Sequence, residues 1–138
     1  MDTKLPPFVP GIRVLVADDD RNHSRLMRVL LQSEGYEVTE AHTGEIACDE
    51  MEQFHPTLVI LDSMLPQRSG RECLQHIKNH PTLSQTLVVM CSARSDIRYI
   101  LDCLENGASA FIMKPFENRK FLHQIRHVLG LEPEPAPR

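Results

Sequence analysis

Residues 57–62 read Thr-Leu-Val-Ile-Leu-Asp. Four consecutive aliphatic side chains make a run of strand length, too short for a helix, and it ends abruptly in an acid. A strand that does not alternate is buried on both faces, as in a parallel sheet covered by helices on each side. The same shape recurs on either side of it. Residues 12–17 (Ile-Arg-Val-Leu-Val-Ala) stop at Asp18-Asp19-Asp20, residues 86–91 (Thr-Leu-Val-Val-Met-Cys) at Ser92, and residues 110–113 (Ala-Phe-Ile-Met) at Lys114-Pro115. Residues 36–41 alternate weakly and supply a fifth strand.

Helical spacing fills the intervals. Leu26, Met27, Val29 and Leu30 carry it before Gly35, and Ile46, Ala47, Glu50, Met51 and Phe54 carry it after Thr43-Gly44. Residues 72–78 place Cys73, Leu74 and Ile77 on one face. Ser95-Asp96 starts a fourth helix with Ile97, Ile100, Leu101 and Leu104, which stops at Asn106-Gly107. A fifth, over 118–129, points Phe121, Leu122, Ile125, Val128 and Leu129 inward. Five strands alternating with five helices predict an α/β fold. The sheet is expected to be parallel, five-stranded and doubly wound.

The 138 residues fit one domain, over 12–130, with an N-terminal tether (1–11) and a Pro-rich tail or linker (131–138). Lys and Arg number 15 against 19 Asp and Glu, a net charge of −4, so a domain built to grip nucleic acid or an anionic membrane is excluded. No apolar run approaches transmembrane length. The N-terminus lacks a signal-peptide pattern and Cys48, Cys73, Cys91 and Cys103 form no C-x-x-C pair, so reduced thiols in a cytoplasmic protein are expected.

In an open parallel sheet, ligands bind beyond the carboxyl ends of the strands. The topology therefore gathers Asp18, Asp19, Asp62, Ser92 and Lys114 at one edge. Taken singly they are unremarkable: an Asp at a strand end usually forms a turn, and Asp20 reads as a helix cap. Together they carry chemistry. Crowded carboxylates repel unless a cation joins them, and hard oxygen donors with room for water suit Mg2+. A lysine and a hydroxyl beside such an ion are what a phosphoryl group needs.

The segments VLVADDD, LVILDSMLPQRSG, VVMCSAR and GASAFIMKPF occur in order over nearly the whole predicted domain, and the chain resembles the receiver domain of two-component response regulators. Asp62 lies four residues before Pro66 and eight before Gly70, and Ser92 lies twenty-two before Lys114. The resemblance implies an α/β fold of flavodoxin-like (βα)5 type with strand order 2-1-3-4-5, and it implies that Asp62 accepts a phosphoryl group from a histidine kinase or a phosphotransfer protein. It implies Mg2+ (or Mn2+) held by Asp19, by Asp62 and by the main-chain carbonyl of Met64, with Asp18 acting through water. Ser92 then matches the hydroxyl that moves to the phosphoryl group, Lys114 the cation that pairs with it, and Lys114-Pro115 a cis bond. Phe111 occupies the aromatic switch position, Met64 and Arg94 the positions that tune phosphoryl lifetime, and the fourth helix, fifth strand and fifth helix the output surface, a homodimer contact among its uses. Such a domain is a regulatory phosphoacceptor, not an enzyme. Two other readings are an aspartate-nucleophile phosphatase, which needs a second acid absent from Asp62-Ser63-Met64, and a phosphorylation-independent interaction module, which would lose one of the five site residues. His123 and His127, four apart on the last helix, are expected on the surface rather than at a metal.

Overall fold

The short apolar runs of the sequence are the strands. A computed structural model describes residues 11–131; the predicted tethers lie outside the described residues but for Gly11 and Leu131. The elements are β1 (Arg13–Ala17), α1 (Arg21–Gln32), β2 (Glu37–Ala41), α2 (Gly44–Phe54), β3 (Leu58–Leu61), α3 (Gly70–Asn79), β4 (Leu87–Ser92), α4 (Ile97–Glu105), β5 (Ala110–Met113) and α5 (Asn118–Val128). The strands pair in parallel in the order β2-β1-β3-β4-β5, as the sequence predicts.

Alternate side chains of each strand serve opposite layers. Leu15, Val59, Leu61, Val88 and Met90 pack with Met51 of α2, Cys73, Leu74 and Ile77 of α3, and Tyr99 and Cys103 of α4. Val14, Val16, Leu58, Ile60, Val89 and Cys91 pack on the other side with Met27 and Leu31 of α1 and Phe121 and Ile125 of α5. Burial on both faces is why the strands are apolar throughout. The two edge strands, β2 and β5, are mixed in burial, and β2, the more exposed at its start, has the weaker pattern.

Local signals set the helix ends. Asp20 caps α1 by accepting from the Asn22 and His23 amides, and Thr43 caps α2 by accepting from Ile46. Ser69 and Glu72 form a reciprocal capping box on α3, which starts two residues before the sequence spacing shows it. Two helices turn a different face inward from the one the spacing suggests. In α1 the buried side chains are Ser24, Met27 and Leu31, while Leu26 and Val29 are exposed. In α4 they are Tyr99 and Cys103, while Ile97, Leu101 and Leu104 face solvent. Both helices carry apolar residues around more than one face, so periodicity alone does not choose between them. In α4 the choice goes to the large Tyr99 ring, which meets Phe111 edge-on at 6.0 Å.

Gly70 is where the chain beyond β3 folds back on itself. Its amide donates to the Ser63 carbonyl at 3.2 Å, and a Cβ there would sit 2.1 Å from the Asp62 carbonyl oxygen. That contact is with backbone and cannot be relieved by a side-chain rotation. Gly70→Ala is expected to lower stability by at least about 1–3 kcal/mol, the usual cost of overpacking. Urea denaturation measures it, and an unchanged midpoint would refute the close approach.

Candidate functional site

The parallel register brings the strand ends level. Ala17 pairs with Ala41 and Leu61, and Leu61 with Met90, so Asp18 and Asp62 follow β1 and β3 side by side. Each residue's amide continues the ladder, Asp18 to the Ala41 carbonyl and Asp62 to the Ala17 carbonyl, both at 3.0 Å. Ser92 closes β4, and the Lys114 amide reaches its carbonyl at 2.9 Å.

The same turn follows three of these strands. Asp18 Oδ1 accepts from the Asp20 amide at 2.9 Å, Asp62 Oδ1 from the Met64 amide at 3.0 Å, and Ser92 Oγ from the Arg94 amide at 3.1 Å. These are Asx and Ser turns, which fix a side chain by tying it to the backbone two residues on. Each carboxylate is left with its second oxygen directed into the site. Lys114 Nζ donates to both, at 2.7 Å from Asp18 Oδ2 and 2.7 Å from Asp62 Oδ2. Asp18 is fully buried and Asp62 nearly so, whereas Asp19 is exposed. Oxygens of these three carboxylates lie within 4.8 Å of one another. Burial alone would pull the Lys114 ammonium pKa down. The hydrogen bonds from Asp18 and Asp62 and their charges outweigh it and hold that pKa above the ordinary lysine value.

The structure thus assembles Asp18, Asp19, Asp62, Ser92 and Lys114 at one edge. Met64 stands at the mouth, its side chain 70% exposed. The Lys114–Pro115 peptide is cis. Phe111 is half-buried and packed against the α2–α4 layer. The Arg94 side chain turns away from the carboxylates: its Nε donates to Asp96 at 2.8 Å and its guanidinium lies 4.0 Å above the Tyr99 ring. Cys91, next to Ser92, is buried, and burial pushes its thiol up to about 12.

Two polar contacts are absent from the motif spacing. His23, in the first turn of α1, brings Nδ1 to 3.2 Å from Asp18 Oδ2 and sets its ring against Phe116. The hydroxyl of Ser63, buried, hydrogen-bonds that of Ser92. A helix that starts right after a strand-end acid turns its first-turn side chains toward that edge, which was a usable signal for His23. Nothing in the sequence pairs Ser63 with Ser92, twenty-nine residues away.

A second group of ligand-type side chains, Glu52 with His76 and His80, lies on α2 and α3. His80 Nδ1 accepts from the Thr82 amide at 3.2 Å, so its Nε2 carries the proton and faces Glu52 Oε2 at 3.6 Å. His76 Nε2 lies 3.0 Å from the same oxygen. One hydrogen bond, from His76, and one longer ion-pair contact, from His80, thus converge on the same Glu52 oxygen. Among the described residues, His123 and His127 belong to no such group.

A family model of the response regulator receiver domain matches residues 14–126, and the chain belongs to that family. It is therefore a regulatory domain of two-component signal transduction. It is similar to the transcriptional regulatory protein CpxR of Escherichia coli K12, 36% identical over 118 residues that cover 85% of this chain and 49% of CpxR. The chain thus spans about half the length of curated relatives such as CpxR. A CheY-like receiver domain protein from Methanospirillum hungatei superimposes with a TM-score of 0.81 at 28% identity, over 88% of this chain and 95% of that one. The CheX–CheY–BeF3–Mg2+ complex from Borrelia burgdorferi does so with 0.80 at 29%, over 90% of each. Among the described residues, no helix is long and apolar enough to cross a membrane.

A lysine whose folded pKa stands above its unfolded one adds stability that is complete below about 10.4, the ordinary value, and is lost as pH rises through the folded value. In metal-free buffer, the stability difference between wild type and Lys114→Met is expected to hold steady through neutral pH and to narrow only beyond the ordinary lysine range. Urea midpoints measured across that interval check it. A difference that narrows near neutrality would contradict the raised pKa.

Proposed function

We propose that this receiver domain, residues 12–130, takes a phosphoryl group on Asp62 from a histidine kinase or a histidine phosphotransfer protein. The observation that carries the reading is the Asp18–Lys114–Asp62 arrangement, with a third acid, Asp19, exposed at its rim. Asp62 Oδ1 is engaged with the Met64 amide while Oδ2 is held by a single movable ammonium. An ionised carboxylate with one such oxygen can attack phosphorus in line. Lys114 then follows the negative charge as it spreads over the phosphoryl oxygens, and the Ser92 hydroxyl supplies a hydrogen bond to one of them.

The donor set fits a hard divalent cation: carboxylate oxygens, no thiol or imidazole ligand required, and solvent access on the Asp19 side. Asp19, Asp62 and the main-chain carbonyl of Met64 would hold Mg2+, with Asp18 acting through water; Mn2+ suits the same ligands. Bound there, the ion supplies charge neutralisation to the phosphoryl oxygens during transfer. Met64 offers no side-chain donor to a hydrolytic water, which favours a long-lived phosphoryl state.

The output surface is α4, β5 and α5. Ile97 (64% exposed), Leu101 (47%) and Met113 (50%) form its apolar part, a composition that supports a second copy of the chain as the partner once Asp62 is phosphorylated. The net negative charge supports neither nucleic acid nor membrane binding by this domain itself, and a cytoplasmic site of action fits the four free thiols.

Asp62→Asn should abolish labelling by a small phosphodonor in Mg2+, and Asp19→Asn should raise the Mg2+ needed for half-maximal labelling about tenfold or more. Intact-mass spectrometry reads both, and undiminished labelling of Asp62→Asn would overturn the assignment. Beryllofluoride with Mg2+ is expected to shift the chain from monomer to dimer in sedimentation, and Leu101→Asp to suppress that shift without loss of labelling. Dimerisation of Leu101→Asp at the wild-type level would move the interface elsewhere.

A further inference from the structure

Four thiols are present and they are not equivalent. Cys91 and Cys103 are buried, and burial pushes both thiols up. Cys48 of α2 and Cys73 of α3 are buried too, but their sulfurs face each other at 3.8 Å across the interface between the two helices. Arg68, in the segment between Asp62 and α3, brings Nη1 to 3.1 Å from Cys48 Sγ. A guanidinium set against a core sulfur is a contact that strengthens when the sulfur carries charge. Cys73 has the complementary geometry. Its thiol donates to the Gly44 carbonyl oxygen 3.6 Å away, which holds its sulfur in place 3.8 Å from that of Cys48.

The charged neighbours on each packing element agree with this asymmetry. The Cys73 hydrogen bond, Arg68 and His76 of α3 hold the Cys48 thiol below the ordinary cysteine value against the opposing effect of burial. Cys73 is pushed well up by its hydrogen bond to Cys48, by burial and by the charges of Cys48 and Glu72, and keeps its proton. Cys48 is buried, while the Arg68 side chain against it is 34% exposed and reaches out to Glu45 at 3.8 Å.

We propose that Cys48 and Cys73 are a redox-active dithiol, with Cys48 as the attacking thiolate, Arg68 as the cation that positions it and Cys73 as the resolving thiol, and that a hydroperoxide closes the pair to a disulfide between α2 and α3. The Cys48 sulfur attacks one peroxide oxygen, the O–O bond breaks, and a sulfenic acid forms as hydroxide or alkoxide leaves. Cys73 gives up its proton and attacks the Cys48 sulfur. The S–S bond forms, the S–O bond breaks, and water departs. The two thiols lose two electrons and the hydroperoxide gains them, ending as water and an alcohol, or as two waters when the oxidant is hydrogen peroxide. The sulfurs close from 3.8 Å to about 2 Å, within reach of side-chain rotation and a small approach of the two helices. Cys91 and Cys103, without a paired sulfur or a guanidinium, stay reduced.

The experiment treats the full chain with hydrogen peroxide, quenches, and reads intact mass and non-reducing peptide maps. The expected result is a loss of about 2 Da, one linked peptide pair joining Cys48 to Cys73, and reversal by a dithiol reductant. Arg68→Gln leaves both sulfurs in place. It should slow closure about three- to tenfold near neutral pH and raise the midpoint of the Cys48 alkylation profile, while Arg68→Lys restores most of the rate. An unchanged mass, a link through Cys91 or Cys103, or wild-type closure in Arg68→Gln would each overturn the proposal.

Discussion

Parallel pairing imposes one constraint from which the site follows: every strand must deliver its carboxyl end to the same edge. Hydrogen bonds fix the register, so β1 and β3 end level with one another and the residues after them have no choice but to be neighbours. Burial on both faces leaves those strand interiors no room for polar side chains. The first polar residue of each chain segment therefore falls at the edge, where helices begin and backbone amides point outward. Asp18, Asp62, Ser92 and Lys114, spread over nearly a hundred positions, meet because the sheet has only one such edge.

What that edge then needs is charge balance. Two buried carboxylates on adjacent strands would repel, and Lys114 relieves them by donating to one oxygen of each at 2.7 Å. The turns after β1 and β3 do the complementary work: they occupy the other oxygen of each carboxylate with a backbone amide. Each acid thereby has one oxygen committed to structure and one to the site. Lys114 is committed to the other two acids and, among the described residues, no lysine is paired with Asp19, which stays at the solvent rim and gives the site a surplus of negative charge on the side open to water. A pocket with one cation among three acids is balanced for a further cation and, with it, for an incoming anion.

Sequence carried the sheet and the five residues gathered at its edge through a strong local signal, an apolar run and the polar residues that end it, while the strand order came with the family resemblance. It carried less where two choices satisfy the same periodicity. Leu26 and Val29 have the same helical spacing as Met27 and Leu31, and Ile97 with Leu101 the same as Tyr99 with Cys103. Which set packs is decided by partners remote in sequence, Phe121 and Ile125 of α5 for α1 and the Phe111 ring for α4. Contacts between separate elements were also out of reach. Ser63 on Ser92 and Arg68 on Cys48 join residues whose pairing has no period and no motif, and only tertiary packing brings them together.

The misread face of α4 bears on how a signal could leave the site. Ser92 is held on one side by the Ser63 hydroxyl and on the other by the Arg94 amide. Arg94 in turn lies over Tyr99, and Tyr99 meets Phe111 edge-on. On the proposed reading, drawing Ser92 toward a phosphoryl group breaks the Ser63 hydrogen bond and shifts the turn that carries Arg94. The stack Arg94–Tyr99–Phe111 must then adjust, because close-packed rings cannot yield continuously. Tyr99 is the residue that keeps α4 facing as it does, with Ile97 and Leu101 outward. A displacement of one hydroxyl therefore has a direct mechanical route to the apolar surface of α4, through three side chains that already touch.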